Sequence, residues 1–114
     1  MEIRIIDETI TKQELRSIAK NQFGDMVKAV VDIEKKIMAV GGELHADEEA
    51  LLLDKGSHQA SLWGINLYPD KSDADWIEFD SMINIRPSQE NTSRRVNNPE
   101  IQEKIRAVIA KLTR

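Results

Sequence analysis

Apolar residues recur at helical spacing near the start of the chain, where they form the stripe Leu15, Ile18, Ala19 and Phe23. Thr11 and Glu14 open this stripe as a capping box, in which each side chain accepts a hydrogen bond from the other residue's backbone amide. Gly24 follows the stripe and can adopt the left-handed conformation that ends many helices. The pattern predicts a helix between Thr11 and Gly24, preceded by a short strand at Ile3–Ile5.

The segment 26–40 fits two interpretations. One is a helix, because its apolar residues are spaced alternately by four and three positions, namely Met26, Val30, Ile33, Ile37 and Val40. The other is a hairpin, because the segment is rich in β-branched residues and because apolar residues alternate at Val27, Ala29, Val31 and Ile33. We prefer the hairpin, since strand partners are otherwise scarce. It places strands at Lys28–Ile33 and Ile37–Gly41 and a turn at Glu34 and Lys35.

Two further helices are indicated by the residues at their ends. Asp47 is predicted to cap a helix that ends at Gly56, with acidic residues in its first turn and a lysine in its last. Asn98 and Pro99 open the final helix as its cap and its first helical residue. The apolar stripe of that helix is formed by Ile101, Ile105, Val108 and Leu112.

Alternation of apolar and polar residues predicts two strands, at Leu62–Tyr68 and Ile77–Arg86. The connection Pro69–Asp75 is polar and prone to turns, so the two strands are expected to pair antiparallel. Pro87 ends the second strand, because proline cannot donate a hydrogen bond to the sheet.

Together these elements predict a single α+β domain over residues 1–114. We expect an antiparallel sheet of two hairpins plus a short N-terminal strand, packed by three helices and covered on one face. The alternative fold has a helix at 26–40 and a smaller sheet.

Composition narrows the class of protein. Cysteine is absent, which excludes disulfides and cysteine-ligated metal centres and is typical of a reducing cytoplasm. The net charge of −4 argues against general nucleic-acid binding. The sequence has no apolar run near the roughly 20 residues of a membrane helix, and its N-terminus does not resemble a signal peptide. We therefore expect a cytoplasmic protein without membrane contact, and the sequence predicts no cofactor.

The strand predicted at Ile77–Arg86 would carry four polar residues on one face, namely Glu78, Asp80, Asn84 and Arg86. Asn66 lies on the neighbouring predicted strand. Carboxylates two residues apart, with amides beside them, can bind a hard metal ion or divide the roles of acid and base. Adding the histidine and acid of the 45–47 segment gives a candidate metal site of His45, Asp47, Glu78 and Asp80. The alternative is a solvated outer face of an antiparallel sheet.

The loop after Pro87 is a second candidate site, because it is long and polar for a compact chain. It carries Asn91, Ser93 and Arg94, which follow Arg86, and these are donor types that hold carboxylates and phosphates. The region from Asn84 to Arg114 is also basic, with 7 Lys/Arg against 3 Asp/Glu, whereas residues 1–83 have 9 against 17. The alternative is an ordinary solvated surface loop.

Three strings of the sequence carry a resemblance to a known family: GGELHADEEALLL at 41–53, WGINLYP at 63–69 and EFDSMINIRP at 78–87. The chain resembles a family of small bacterial and archaeal proteins catalogued only as a domain of unknown function, from about Phe23 to the last helix. The resemblance implies a free-standing, cytosolic, prokaryotic-type domain. It brings no activity, cofactor or catalytic residue.

The function is therefore left open among three classes. The first is a binding module for a small anion or other small ligand, which would use Asn66, Asn84, Arg86, Asn91, Ser93 and Arg94. The second is a metal-assisted, hydrolase-like enzyme on His45, Asp47, Glu78 and Asp80. The third is a protein–protein interaction domain, whose partner could be a second copy of the chain.

Overall fold

The computed structural model describes residues 2–114. Its helices are α1 (Lys12–Asn21), α2 (His45–Asp54) and α3 (Pro99–Leu112). Its strands are β1 (Arg4–Ile6), β2 (Val27–Asp32), β3 (Ile37–Val40), β4 (Leu62–Leu67) and β5 (Ile77–Glu78). All neighbouring strands are antiparallel, in the order β1-β3-β2-β4-β5. The predicted α+β fold, with two hairpins, a short N-terminal strand and three helices, is confirmed.

The segment 26–40 is the predicted hairpin, and the helical alternative is wrong. Its turn is held by the buried Asp32 carboxylate, whose Oδ1 accepts hydrogen bonds from the Glu34 amide at 2.9 Å and the Lys35 amide at 2.8 Å. The other oxygen of Asp32 accepts from the Ser57 hydroxyl at 2.7 Å, just after α2. An aspartate that bonds the amides two and three residues ahead favours a turn over a continuing helix.

The sheet is covered on both faces, so the prediction of one covered face is wrong. On the first face, Val27, Ala29 and Val31 of β2 pack with α1 and α3 in the larger core. On the second face, Val30 packs against Leu52 of α2 in a smaller core. Because strand residues alternate in direction, β2 and β4 contribute to both cores and are buried almost throughout.

The predicted starts of α1 and α3 are confirmed, whereas α1 ends at Asn21, before the predicted Phe23, and the predicted cap of α2 is wrong. Thr11 and Glu14 form the capping box, and Asn98 accepts a hydrogen bond from the Glu100 amide at 2.8 Å. In α2 the backbone carbonyl of Leu44 already accepts from the Asp47 amide at 3.2 Å. The helix therefore begins before Asp47, which is exposed in the first turn and does not cap it.

The strand predicted at Ile77–Arg86 is mostly wrong, because β5 ends at Glu78 and Met82–Asn84 forms a 3-10 turn. The Ser81 hydroxyl accepts a hydrogen bond from the Ile83 amide at 3.2 Å and starts this turn. Gly64 of β4 provides the space, since a Cβ at Gly64 would lie 2.5 Å from the Ser81 Cβ. The predicted common face of Glu78, Asp80, Asn84 and Arg86 therefore does not form.

Two side chains bond the part of β4 that a longer β5 would have covered. Asn84 Oδ1 accepts from the Gly64 amide at 2.8 Å, and Asn84 Nδ2 donates to the Gly64 carbonyl at 2.9 Å. The Arg86 guanidinium donates to the Leu62 carbonyl. These bonds satisfy backbone groups that would otherwise be unpaired in the interior.

Replacing Asn84 with alanine should lower the free energy of unfolding by about 2 kcal/mol, because the Gly64 amide and carbonyl lose their partners inside the protein. Urea unfolding of Asn84→Ala measures this loss. Asn97→Ala removes an exposed asparagine from the same loop and should change the free energy by less than about 0.5 kcal/mol. Equal effects of the two substitutions would contradict the assigned role of Asn84.

Candidate functional site

A cleft of about 390 Å³ lies beside the N-terminal end of α2, over the second face of the sheet. We call it the α2 cleft. The residues that line it with charged, imidazole or amide side chains are Lys28, His45, Asn66, Glu78, Asp80 and Arg94. Other clefts on the part of the chain that the structure describes, of about 420 to 440 Å³, are lined by no buried polar side chain. The α2 cleft differs because His45 and Asn66 are both buried.

His45 is the first residue of α2, and its ring is held against β4. Its Nε2 lies 2.8 Å from the Ile65 carbonyl oxygen. Because a carbonyl can only accept, Nε2 carries the proton, and Nδ1 of the neutral ring is an acceptor. Burial lowers the pKa of His45, and the nearby Lys28 ammonium lowers it further, against the opposing effect of the Ile65 carbonyl. The ring is therefore neutral at pH 7.

Asn66 of β4 forms the floor of the α2 cleft. Its Nδ2 donates to Glu78 Oε1 at 2.8 Å and to the Asp80 carbonyl at 3.2 Å, which fixes the orientation of the amide. Its Oδ1 is buried and has no hydrogen-bond partner among the described residues. The Asn66 side chain also lies within hydrogen-bonding reach of the His45 ring, where it would bond the protonated ring and so raises the pKa of His45 slightly against the larger effect of burial.

Two carboxylates, those of Glu78 and Asp80, line the α2 cleft together with His45. Glu78 Oε1 also accepts from the Tyr68 hydroxyl at 3.2 Å. Burial raises the pKa of Tyr68, and the Glu78 carboxylate raises it further, so that hydroxyl remains protonated. Asp80 forms a two-point ion pair with Arg94, at 2.8 Å from Nε and 3.3 Å from a terminal nitrogen. The wall thus contains negative charge, part of which Arg94 balances.

Glu48 is a buried acid that the sequence reasoning missed. Its Oε2 accepts from the Gly42 amide at 3.0 Å, whereas its Oε1 is buried without a partner. Burial raises its pKa to about 9, so the carboxyl group is protonated at neutral pH. The available signal was its position in α2, since Glu48 lies three residues after His45 and four before Leu52 on the buried helix face.

The predicted metal ligands do not converge as a set. His45, Glu78 and Asp80 line the α2 cleft, but Asp47 is exposed and is not part of its lining. Within residues 2–114, no group of three or more histidine, aspartate or glutamate side chains is close enough to hold a metal ion.

Most of the predicted anion-binding residues are engaged inside the protein. The buried Arg86 lies over the Trp63 ring at 4.3 Å and donates to the carbonyls of Gln59 and Leu62. Asn91 Nδ2 donates to the carbonyls of Asn84 and Arg95, both at 2.7 Å.

Of the residues predicted to bind an anion, Asn66 and Arg94 line the α2 cleft, whereas Ser93 bonds within its own loop. The Ser93 hydroxyl donates to Asn97 Oδ1 at 2.8 Å and takes no part in the cleft. Asn66 and Arg94 line it, together with His45, Glu78 and Asp80 of the predicted metal set. The structure thus joins parts of both predicted sites in one place.

A family model described as "Protein of unknown function (DUF5674)" matches residues 4–112. No curated protein and no solved structure matches the chain. None of the helices in the described residues 2–114 has the length and apolar content needed to cross a membrane.

Proposed function

Since the chain belongs to the DUF5674 family, whose description carries no activity, we propose a function from the geometry: the protein binds a small ligand in the α2 cleft. The observation that carries this proposal is Asn66 Oδ1, a buried acceptor without a partner in the floor of a cleft. A buried polar atom without a hydrogen bond is costly, and such atoms in native proteins call for an explanation. A ligand that donates to Asn66 supplies one.

The shape and lining of the cleft support the same proposal. Its volume of about 390 Å³ lies in the range of small-molecule sites, which combine apolar walls with a few placed polar groups. Leu44 and Met82 form apolar parts of the wall, while His45 and Asn66 supply the polar groups. The His45 ring is held by the Ile65 carbonyl, so the site is formed before any ligand arrives.

A blocking variant tests the proposal. Ala46 lines the cleft and is exposed, so Ala46→Trp should fill the cleft without disturbing either core. Ala50, one turn further along α2, is exposed and outside the lining, so Ala50→Trp is the matched control. A library of small polar compounds is screened by thermal melting, because a ligand that binds only the folded state raises Tm by mass action.

We expect some compounds to raise Tm of the wild type and of Ala50→Trp by several degrees, and to leave Tm of Ala46→Trp unchanged. Stabilisation that persists in Ala46→Trp would place the ligand elsewhere and contradict the proposal. A library without any stabilising compound would contradict it as well.

We also propose a cytoplasmic location and a single domain. The location is supported by the absence of cysteine, which is typical of proteins in reducing compartments. Assembly with a second copy of the chain stays a prediction, tested by light scattering of the purified protein.

A further inference from the structure

We propose that the ligand of the α2 cleft carries a headgroup of N–H donors, such as an amidine, guanidine or primary amide, and that this headgroup bridges Asn66 Oδ1 and His45 Nδ1. This inference rests on the proposed function and adds the chemical class of the ligand. It reverses the polarity expected from the sequence, which pointed to an anion held by arginines.

The Asn66 amide can offer a ligand only its oxygen. Both of its protons are engaged, because Nδ2 donates to Glu78 Oε1 at 2.8 Å and to the Asp80 carbonyl at 3.2 Å. Rotating the amide by half a turn would place its oxygen against those two oxygens and lose both bonds. Asn66 is only 6% exposed, and it lines the cleft. A ligand must therefore donate to it.

The His45 ring also offers an acceptor. Its Nε2 proton is used by the Ile65 carbonyl at 2.8 Å, which leaves Nδ1 of the neutral ring with a lone pair and no proton. The Asn66 side chain lies beside the ring. With the ring neutral, Asn66 Oδ1 and His45 Nδ1 are both acceptors and cannot bond each other, and a ligand nitrogen that bears two protons can donate to both.

The charges around the cleft favour the same class of ligand. Glu78 accepts its two hydrogen bonds on Oε1, which leaves Oε2 without a bond among the described residues. Arg94 pairs with Asp80, whereas the Lys28 ammonium forms no ion pair among the described residues and lies 5.3 Å from the Phe23 ring centre. A carboxylate or phosphate would be repelled by Glu78 and Asp80 as well as attracted by Lys28 and Arg94, whereas an N–H donor can also bond the free Glu78 oxygen.

The apolar residues at the rim define the other end of the ligand. Leu44 is 55% exposed and Met82 is 65% exposed, and both line the cleft. Large apolar side chains with this exposure can cover a flat apolar group of a ligand. We therefore infer an amphipathic compound, with its donor headgroup on Asn66 and its apolar part on Leu44 and Met82.

Three probes with the same ring and different headgroups test this inference: benzamidine, benzamide and benzoate. Each is titrated into the ¹⁵N-labelled protein at pH 7.5, and shifts of the backbone amides of Leu44, Ala46 and Asn66 report on the cleft. We expect benzamidine and benzamide to shift these amides in a saturable way, and benzoate to bind at least tenfold more weakly. The Ala46→Trp variant should lose the response to both donor probes.

A second variant tests the named acceptor. Asn66→Leu keeps the approximate size of the side chain and removes its acceptor, so the affinity for benzamide should fall at least fivefold. If that variant does not fold, His45→Phe, which removes Nδ1 and keeps a ring, replaces it with the same expected result. Unchanged affinity in a folded variant would overturn the inference.

The remaining outcomes separate this inference from the proposed function. Benzoate binding as tightly as benzamidine in the cleft would overturn the donor headgroup and leave a ligand-binding cleft standing. No cleft response to either donor probe would overturn the donor headgroup, whatever the compound screen with Ala46→Trp and Ala50→Trp shows. A failed screen would overturn the proposed function itself.

Discussion

Glu48→Gln should raise the free energy of unfolding by about 3 kcal/mol at pH 7, which is unusual for a substitution inside a protein. Burial raises the pKa of Glu48 to about 9, from an ordinary value of 4.5. At pH 7 the carboxyl group is therefore protonated in the folded state and ionised in the unfolded state. Each pH unit above the unfolded-state pKa of 4.5 costs the folded protein about 1.4 kcal/mol. Glutamine is neutral at every pH and avoids this cost, while its carbonyl oxygen can still accept from the Gly42 amide.

The direction of the pKa shift of Glu48 determines the pH range over which the protein loses stability. For an acid whose pKa is raised by folding, the stability it contributes is fully present below the unfolded value and is lost as the pH rises toward the folded value. For Glu48 this window runs from about 4.5 to about 9. Wild type and Glu48→Gln should therefore be about equally stable near pH 4.5 and should diverge steadily above it.

Urea unfolding of both proteins at several pH values between 4.5 and 9 measures this divergence. Other groups titrate equally in the two proteins, so the difference between the curves isolates Glu48. Glu43→Gln is the control, because Glu43 is exposed in the loop just before α2. Parallel curves for wild type and Glu48→Gln would show that the carboxyl group is not held in its neutral form.

Arg86→Ala should lower the free energy of unfolding by about 4 kcal/mol. The substitution removes the donors to the Leu62 and Gln59 carbonyls and the contact with the Trp63 ring. An acceptor left unbonded in the interior costs about 1 to 3 kcal/mol, and a desolvated cation–ring contact adds about 1 to 2 kcal/mol. The sequence instead placed Arg86 in a candidate site for a small anion.

Urea unfolding of Arg86→Ala at pH 7 gives the measurement, with Arg95→Ala as control. Arg95 is an exposed arginine in the same loop, so its removal should change the free energy by less than about 0.5 kcal/mol. If Arg86→Ala unfolds like the wild type, the guanidinium does not stabilise β4. The hypothesis that Arg86 binds a small anion would then be favoured again.

Features that depend on neighbouring residues could be predicted from the sequence. The capping box at Thr11 and the Asn98–Pro99 helix start rest on hydrogen bonds between residues a few positions apart, whereas the local pattern of 26–40 also fitted a helix and the hairpin followed from the scarcity of other strand partners. The family resemblance was likewise carried by short strings, and the family model confirms it. Such local preferences act in any context, so the chain reports them directly.

The backbone path after Glu78 and the roles of the buried polar residues depend on packing between distant parts of the chain. The alternation in 77–86 is what a strand requires, but Gly64, far back in the chain, leaves space for Ser81 to turn there. Asn84 and Arg86 then bond backbone groups more than 15 residues away, which no local pattern encodes. The α2 cleft arises in the same way, because packing α2 on the second face of the sheet buries His45 beside Asn66 and removes water from Glu48. Desolvation, which depends on the whole fold, turns these ordinary polar residues into a site.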